Sequence, residues 1–124
     1  MRIVIDIDGV LCDEYNPDVN QRNPFMDRIA YLNGLFEQGH DIVIYTSRGM
    51  RSCNNNPIEA DKKYRELTTK QLNRWGLCFD ELYFGKPNAD IYVDNKNRCL
   101  EEFFEKPCYP WTNCNPKEFK GSSR

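Results

Sequence analysis

The run Arg2-Ile3-Val4-Ile5 leads directly into Asp6-Ile7-Asp8-Gly9, so a short apolar strand ends on two carboxylates and a glycine. Apolar residues at successive rather than alternate positions read as a strand buried on both faces, the habit of parallel sheets in α/β proteins. Ligands of such sheets bind at the carboxyl ends of the strands. The two aspartates therefore mark where chemistry should sit, and they restrict the chain to folds that gather strand ends into one crevice.

The remaining pattern alternates helix and strand. A polar loop, Asp13 to Asn23, precedes a helix opened by Pro24, with Ile29, Leu32, Leu35 and Phe36 on its apolar side and Gly39 at its end. Asp41 to Thr46 is a second strand, followed by Ser47-Arg48-Gly49 and a loop, Met50 to Asn56. Pro57 opens a second helix that turns Tyr64, Leu67, Leu72 and Trp75 inward and stops at Gly76. Phe79 to Phe84 holds a short third strand, Asp90 to Asp94 reads as a fourth, and a last helix is expected at about Arg98 to Glu105.

This predicts a single Rossmann-like α/β domain with a parallel sheet flanked by helices. Right-handed crossovers place strands one, two and three side by side. A fourth strand on the other side of strand one gives the order 4-1-2-3, which would bring Asp6, Asp8 and Asp94 into one crevice. Residues 1–106 form this core. Residues 107–124, with Pro107, Pro110, Pro116, Tyr109, Trp111 and Phe119, read as an irregular tail packed over it.

A chain of 124 residues is one domain, large enough to hold a core without staples. Its 17 basic and 19 acidic residues form no dense run of one sign, which argues against nucleic acid held by bulk electrostatics. The first strand is too short and too acidic for a signal peptide or membrane span, so a cytoplasmic protein is expected. Six cysteines on unrelated elements read as reduced thiols. There is no C-x-x-C pair and one histidine, His40, so a zinc site of the usual kind is not expected. His40 follows Gly39, where an exposed or helix-capping role is the default.

Three carboxylates within a few ångströms repel one another unless a cation neutralises them. Oxygen ligands without histidine or thiolate favour magnesium, which leaves positions open for substrate phosphate. With phosphate as the substrate group, the other strand ends acquire roles. Thr46 or Ser47 offers a hydroxyl, the amides near Gly49 offer donors and Lys86 offers a cation, each suited to a transferring phosphoryl group.

Asp6-Ile7-Asp8-Gly9-Val10-Leu11, Thr46-Ser47-Arg48, Lys86 and Asp94-Asn95 resemble, in order, the four motifs of the haloacid dehalogenase-like phosphatases, over about residues 1 to 105. The resemblance implies that Asp6 is the nucleophile, forming an aspartyl-phosphate, and that Asp8 is the general acid and then the base. It implies that Thr46 binds the phosphoryl group and that Lys86 holds nucleophile and phosphate together. Asp94 would bind magnesium with Asp6 and the backbone carbonyl of Asp8. Many relatives carry two acidic residues in the fourth motif, whereas Asn95 keeps an oxygen and loses a charge; it would stand outside the direct ligands and weaken metal binding. Asp90, about 13 Å up the strand, reads as structural.

The gaps between motifs hold no cap domain, which implies an open site whose selectivity comes from the loops Asp13 to Asn23 and Arg48 to Asn56, or from a neighbouring subunit in a homo-oligomer. Arg48 and Arg51 could contact a second anionic group of the substrate, or could be solvated loop arginines. Glu81 to Pro87 is similar to a segment of small phosphatases associated with capsule or polysaccharide biosynthesis. That implies a sugar phosphate, with a nucleotide as the competing substrate. Two rivals from other classes are a receiver-like signalling module, suggested by Lys86-Pro87 but lacking a middle-strand aspartate, and an inactive phosphatase-like binding protein, suggested by Asn95.

Overall fold

The structure, a computed structural model, describes residues 1–105. The tail from Pro107, with Cys108 and Cys114, lies outside the described residues. Strand β1 (Arg2–Ile5) leads through a loop with one 3-10 turn (Val19–Gln21) to helix α1 (Met26–Glu37). Then follow β2 (Asp41–Thr46), α2 (Pro57–Arg74), β3 (Glu81–Phe84) and a short α3 (Leu100–Phe104). No helix among the described residues is long and apolar enough to cross a membrane.

The three strands form one parallel sheet in the order β1-β2-β3, with Ile3 opposite Ile42, Ile5 opposite Ile44, and Ile44 opposite Leu82. Because side chains alternate along a strand, Ile3, Ile5, Ile42, Ile44 and Leu82 share one face. They meet Ile29, Leu32 and Leu35 of α1, Leu72 of α2, Trp75 and Phe103 in one core. The first helix begins at Met26, two residues after the expected Pro24. The second begins at Pro57, where Asn56 caps it by accepting the Ile58 and Glu59 N–H groups at 3.0 and 3.3 Å, satisfying donors that the first turn leaves open.

Burial separates the strands. β2 is buried along almost its whole length, as a central strand should be, whereas Val4 of β1 is 58% exposed. The reading of β1 as buried on both faces is therefore corrected: it is an edge strand among the described residues. The expected fourth strand is absent there. Asp90 to Asp94 runs irregularly, without ladder hydrogen bonds, and leaves Ile91 77% and Val93 92% exposed. With no strand beside β1 among the described residues, the order 1-2-3 is observed there and the position 4 is not. The last helix is also shorter than expected, Leu100–Phe104.

His40 is buried completely, with its Nδ1 2.8 Å from the Met1 amino nitrogen, which corrects the expectation of an exposed or capping histidine. The cysteines among the described residues, Cys12, Cys53, Cys78 and Cys99, are free thiols.

Candidate active site

The chain leaves β1 at Asp6 and turns sharply. Val10 and Leu11 donate to the Ile7 carbonyl at 3.1 and 2.7 Å, and Gly9 takes φ +82°, a region that side chains other than glycine rarely adopt. A Cβ there would stand 2.9 Å from Glu14 Oε2. Arg28 fastens the turn from α1, donating to the Val10 carbonyl at 2.9 Å. Both aspartates are thus held at the strand end by a turn that needs glycine.

Asp6 accepts the Ile7 N–H on Oδ1 at 2.7 Å and the Lys86 ammonium on Oδ2 at 3.0 Å. Lys86 arrives from the end of β3, where its own N–H donates to the Thr46 carbonyl at 3.2 Å, and its Nζ lies 4.2 Å from the centre of the Tyr92 ring. Burial pushes the Asp6 carboxyl above the usual carboxylate range, and Lys86 offsets that only in part.

Asp8 is bound quite differently. Arg48 closes on it through two hydrogen bonds, Nε to Oδ2 and Nη2 to Oδ1, each 2.9 Å, and Arg22 adds an ion pair to Oδ1 at 2.8 Å. Burial raises the Asp8 carboxyl, but the hydrogen bonds and charges of Arg48 and then Arg22 outweigh it, and the net displacement is downward. The same carboxylate faces the Cys12 sulfur at 3.4 Å; burial first, and then Asp8, push that thiol up to about 12.

Arg48 is built into the protein. Its side chain is 2% exposed, and Nη1 donates to Thr68 Oγ1 at 3.2 Å and Gln71 Oε1 at 2.7 Å, both on α2. Gln71 in turn donates from Nε2 to the Val19 carbonyl at 2.7 Å, tying α2 to the loop after β1. The sequence reading left open whether Arg48 meets a substrate anion; in the structure its donors are engaged by Asp8, Thr68 and Gln71. Thr46 is buried, and its Oγ1 accepts the Arg48 N–H at 3.1 Å. Ser47 is half-buried beside it. Gly49 turns the loop at φ +77°, where a Cβ would meet Tyr64 Cδ2 at 2.6 Å. Arg51 is exposed.

Asp94 and Asn95 line the same cavity as Asp6, a groove of about 600 Å³ running along the free edge of β1. Asp94 accepts the Lys96 N–H at 2.9 Å and Asp90 is exposed. No group of three His, Cys, Asp or Glu residues among the described residues is close enough to hold a metal ion. The Asp8 carboxylate is turned to its arginines, and Asp94 sits on irregular chain. Between β1 and α1, and between β2 and α2, the chain contains only loops and the 3-10 turn, with no insertion of cap size.

Three participants escaped the sequence reading. Thr68 and Gln71 lie on the inward stripe of α2 with Leu72, and two polar residues on a buried stripe are a signal that a buried charge needs them. Arg22 lies in the polar loop and carries no periodic signal at all.

No protein-family model and no curated protein matches this chain. A crystal structure of an MCSG target from Vibrio cholerae is similar over 99% of this chain and 98% of that one, with a TM-score of 0.81 and 23% identity. A chain of the Pnkp1/Rnl/Hen1 complex is similar over 76% of this chain, with a TM-score of 0.52 and 23% identity, and the match covers 31% of that longer chain. At these identities the likeness concerns the fold alone.

Proposed function

We propose that this chain is a magnesium-dependent phosphomonoesterase of the haloacid dehalogenase-like type, acting on a sugar phosphate or another small phosphate ester. The observation that carries this reading is the Lys86–Asp6 pair, 3.0 Å apart, at the carboxyl ends of parallel strands with Thr46 on the strand between. A carboxylate held by an ammonium at strand ends suits nucleophilic attack on phosphorus, because the ammonium also meets the charge of the transferring group.

In this mechanism an Asp6 oxygen attacks the phosphorus, the bond to the leaving alcohol breaks, and an aspartyl-phosphate forms. Asp8 gives a proton to the departing oxygen. Water then attacks the phosphorus, Asp8 recovers a proton from it, and phosphate leaves with the Asp6 carboxylate restored. The arginines that hold Asp8 ionised favour the second half of this cycle, where it acts as a base. For the first half, Asp8 must carry a proton, which the same arginines disfavour.

The donors on offer are oxygens, as a hard divalent cation prefers: Asp6 and, on the wall of the same groove, Asp94, which the described structure does not gather into one cluster. Asp6, Asp94 and the backbone carbonyl of Asp8 would hold it. When bound it would withdraw charge from the phosphoryl oxygens. The exposed apolar run Ile91 to Val93, just before Asp94 on the wall of the groove along β1, supports pairing of that segment with β1, giving the order 4-1-2-3 and bringing Asp94 to the strand ends.

The test is turnover of a panel of sugar phosphates, nucleotides and generic phosphomonoesters by the purified protein with magnesium, beside an Asp6→Asn variant. Activity that requires both magnesium and Asp6 is expected. Absence of turnover across the panel would sink the reading.

A further inference from the structure

We propose that Arg22 is the specificity residue of this site, binding a second anionic group carried on the leaving-group side of the substrate. The proposal rests on the phosphomonoesterase reading for its orientation and on the charge geometry for its existence. Arg48 already engages both oxygens of Asp8 in a fork. Arg22 adds a second guanidinium to Oδ1 of the same carboxylate at 2.8 Å through Nη1 alone. Among the ion pairs at the strand ends, Arg22, Arg48 and Lys86 face Asp6 and Asp8, three cations against two carboxylates. Glu14, whose carboxylate lies against Gly9, forms no ion pair among the described residues. With Glu14 counted the charges balance, so what the site offers an anion is a local guanidinium donor at the strand ends.

The two arginines also differ in how they are held. Arg48 is fixed by Thr68 and Gln71 from α2 and is 2% exposed, so its fork is committed. Arg22 is 16% exposed and sits on the loop after β1, where its Nε donates to the Asn16 carbonyl at 2.9 Å. Its Nη2 makes no hydrogen bond among the described residues, which leaves a guanidinium edge to receive a carboxylate or phosphate. The loop places that edge reproducibly. Asp13 ties it by accepting the N–H groups of Tyr15, Asn16 and Asn23, and Gln71 ties it through the Val19 carbonyl.

The side of the substrate follows from Asp8. A group that protonates the departing oxygen lies beside the leaving group, and Arg22 stands against Asp8 and not against the Asp6–Lys86 pair. Its anion therefore belongs to the alcohol half of the ester. The substrate class is a phosphomonoester whose alcohol carries a carboxylate or a further phosphate.

The experiment is titration calorimetry of the wild-type chain in EDTA with three ligands. Glycerol 3-phosphate has a neutral alcohol half, 3-phosphoglycerate adds a carboxylate and propane-1,3-diol bisphosphate adds a phosphate. Wild type should bind at least one doubly anionic ligand about tenfold or more tighter than glycerol 3-phosphate, the scale of a charge-assisted contact, and which one tells carboxylate from phosphate. Arg22→Gln should bring that ratio near one, and Arg22→Lys should restore part of it. A wild-type ratio near one, or a ratio that survives Arg22→Gln, overturns the proposal. Because binding is read without turnover, a preserved ratio in a protein that hydrolyses nothing would remove the phosphatase reading and leave the anion site standing.

Discussion

Arg48 and Asp8, 40 residues apart in the chain, meet through two N–H···O bonds of 2.9 Å, with the guanidinium buried behind them on Thr68 and Gln71. A planar fork matched to a carboxylate fixes direction as well as distance. Breaking it strands several polar groups at once. Arg48→Met should therefore cost about 3–5 kcal/mol, the range for removing one partner of a buried pair. Arg48→Lys should cost less but not be neutral, since it keeps the charge and loses the fork. Urea denaturation of the three proteins checks this, and a loss in Arg48→Met below about 1 kcal/mol, the level of an exposed pair, would contradict the buried clamp.

The two aspartates should give opposite slopes of stability against pH. Asp8 is displaced downward, so its contribution is present above the ordinary carboxylate range and is lost as the pH falls through its lowered folded value. Asp6 is displaced upward by burial, so its contribution is present below the ordinary range and is lost as the pH rises through its raised folded value. Asp6→Asn should accordingly be more stable than wild type near neutral pH, with the advantage shrinking in acid. Melting temperatures of wild type, Asp6→Asn and Asp8→Asn across pH 3–8 would reveal it. An Asp6→Asn advantage that grows in acid would reverse the assigned sign.

Cys12, pushed up to about 12 and fully buried beside Asp8, should remain a thiol in the folded protein. Exposed Cys99 should react with iodoacetamide near pH 8 well before it. Peptide mapping after timed alkylation, with and without denaturant, reads both. Labelling of Cys12 in the folded chain at a rate near that of Cys99 would show that this part of the turn opens.

For the proposed chemistry, Asp6→Asn should abolish turnover because it removes the attacking oxygen. Asp8→Asn should lower the rate with a poor leaving group by roughly 10²–10⁴-fold, the usual scale of general acid–base catalysis. The loss should be smaller with an aryl phosphate, whose leaving oxygen needs no proton. Rates for an alkyl and an aryl ester, measured on variants shown by melting to be folded, decide it: equal losses on both would take the proton-transfer role away from Asp8.

Asn95 and Asp90 test which end of the 90–95 segment would meet the proposed metal. Asn95→Asp should tighten magnesium binding, since groups beyond the direct ligands tune affinity by roughly 10–100-fold, whereas Asp90→Asn should change it little. Isothermal titration of magnesium into each variant is the measurement. Loss of binding in Asp90→Asn with Asp94→Asn tolerated would move the ligand to Asp90.

The sequence by itself determined the order of elements from β1 to β3, and with it the strand ends that carry Asp6, Thr46 and Lys86. Those features are local: a run of β-branched residues, a helical stripe, a proline and an asparagine at a helix start, and a glycine at a turn requiring positive φ. Each is encoded within a few residues, where propensity and periodicity act. Only the tertiary structure decided what the charges do. That Arg48 is a buried brace, that Arg22 pairs with Asp8, and that Thr68, Gln71 and His40 are interior are facts of pairing across the chain. It also decided that Asp90 to Asp94, which has the composition of a strand, makes no ladder. A strand is completed by a partner's backbone, and a buried charge by its counter-charge, and neither partner is written beside the residue that needs it.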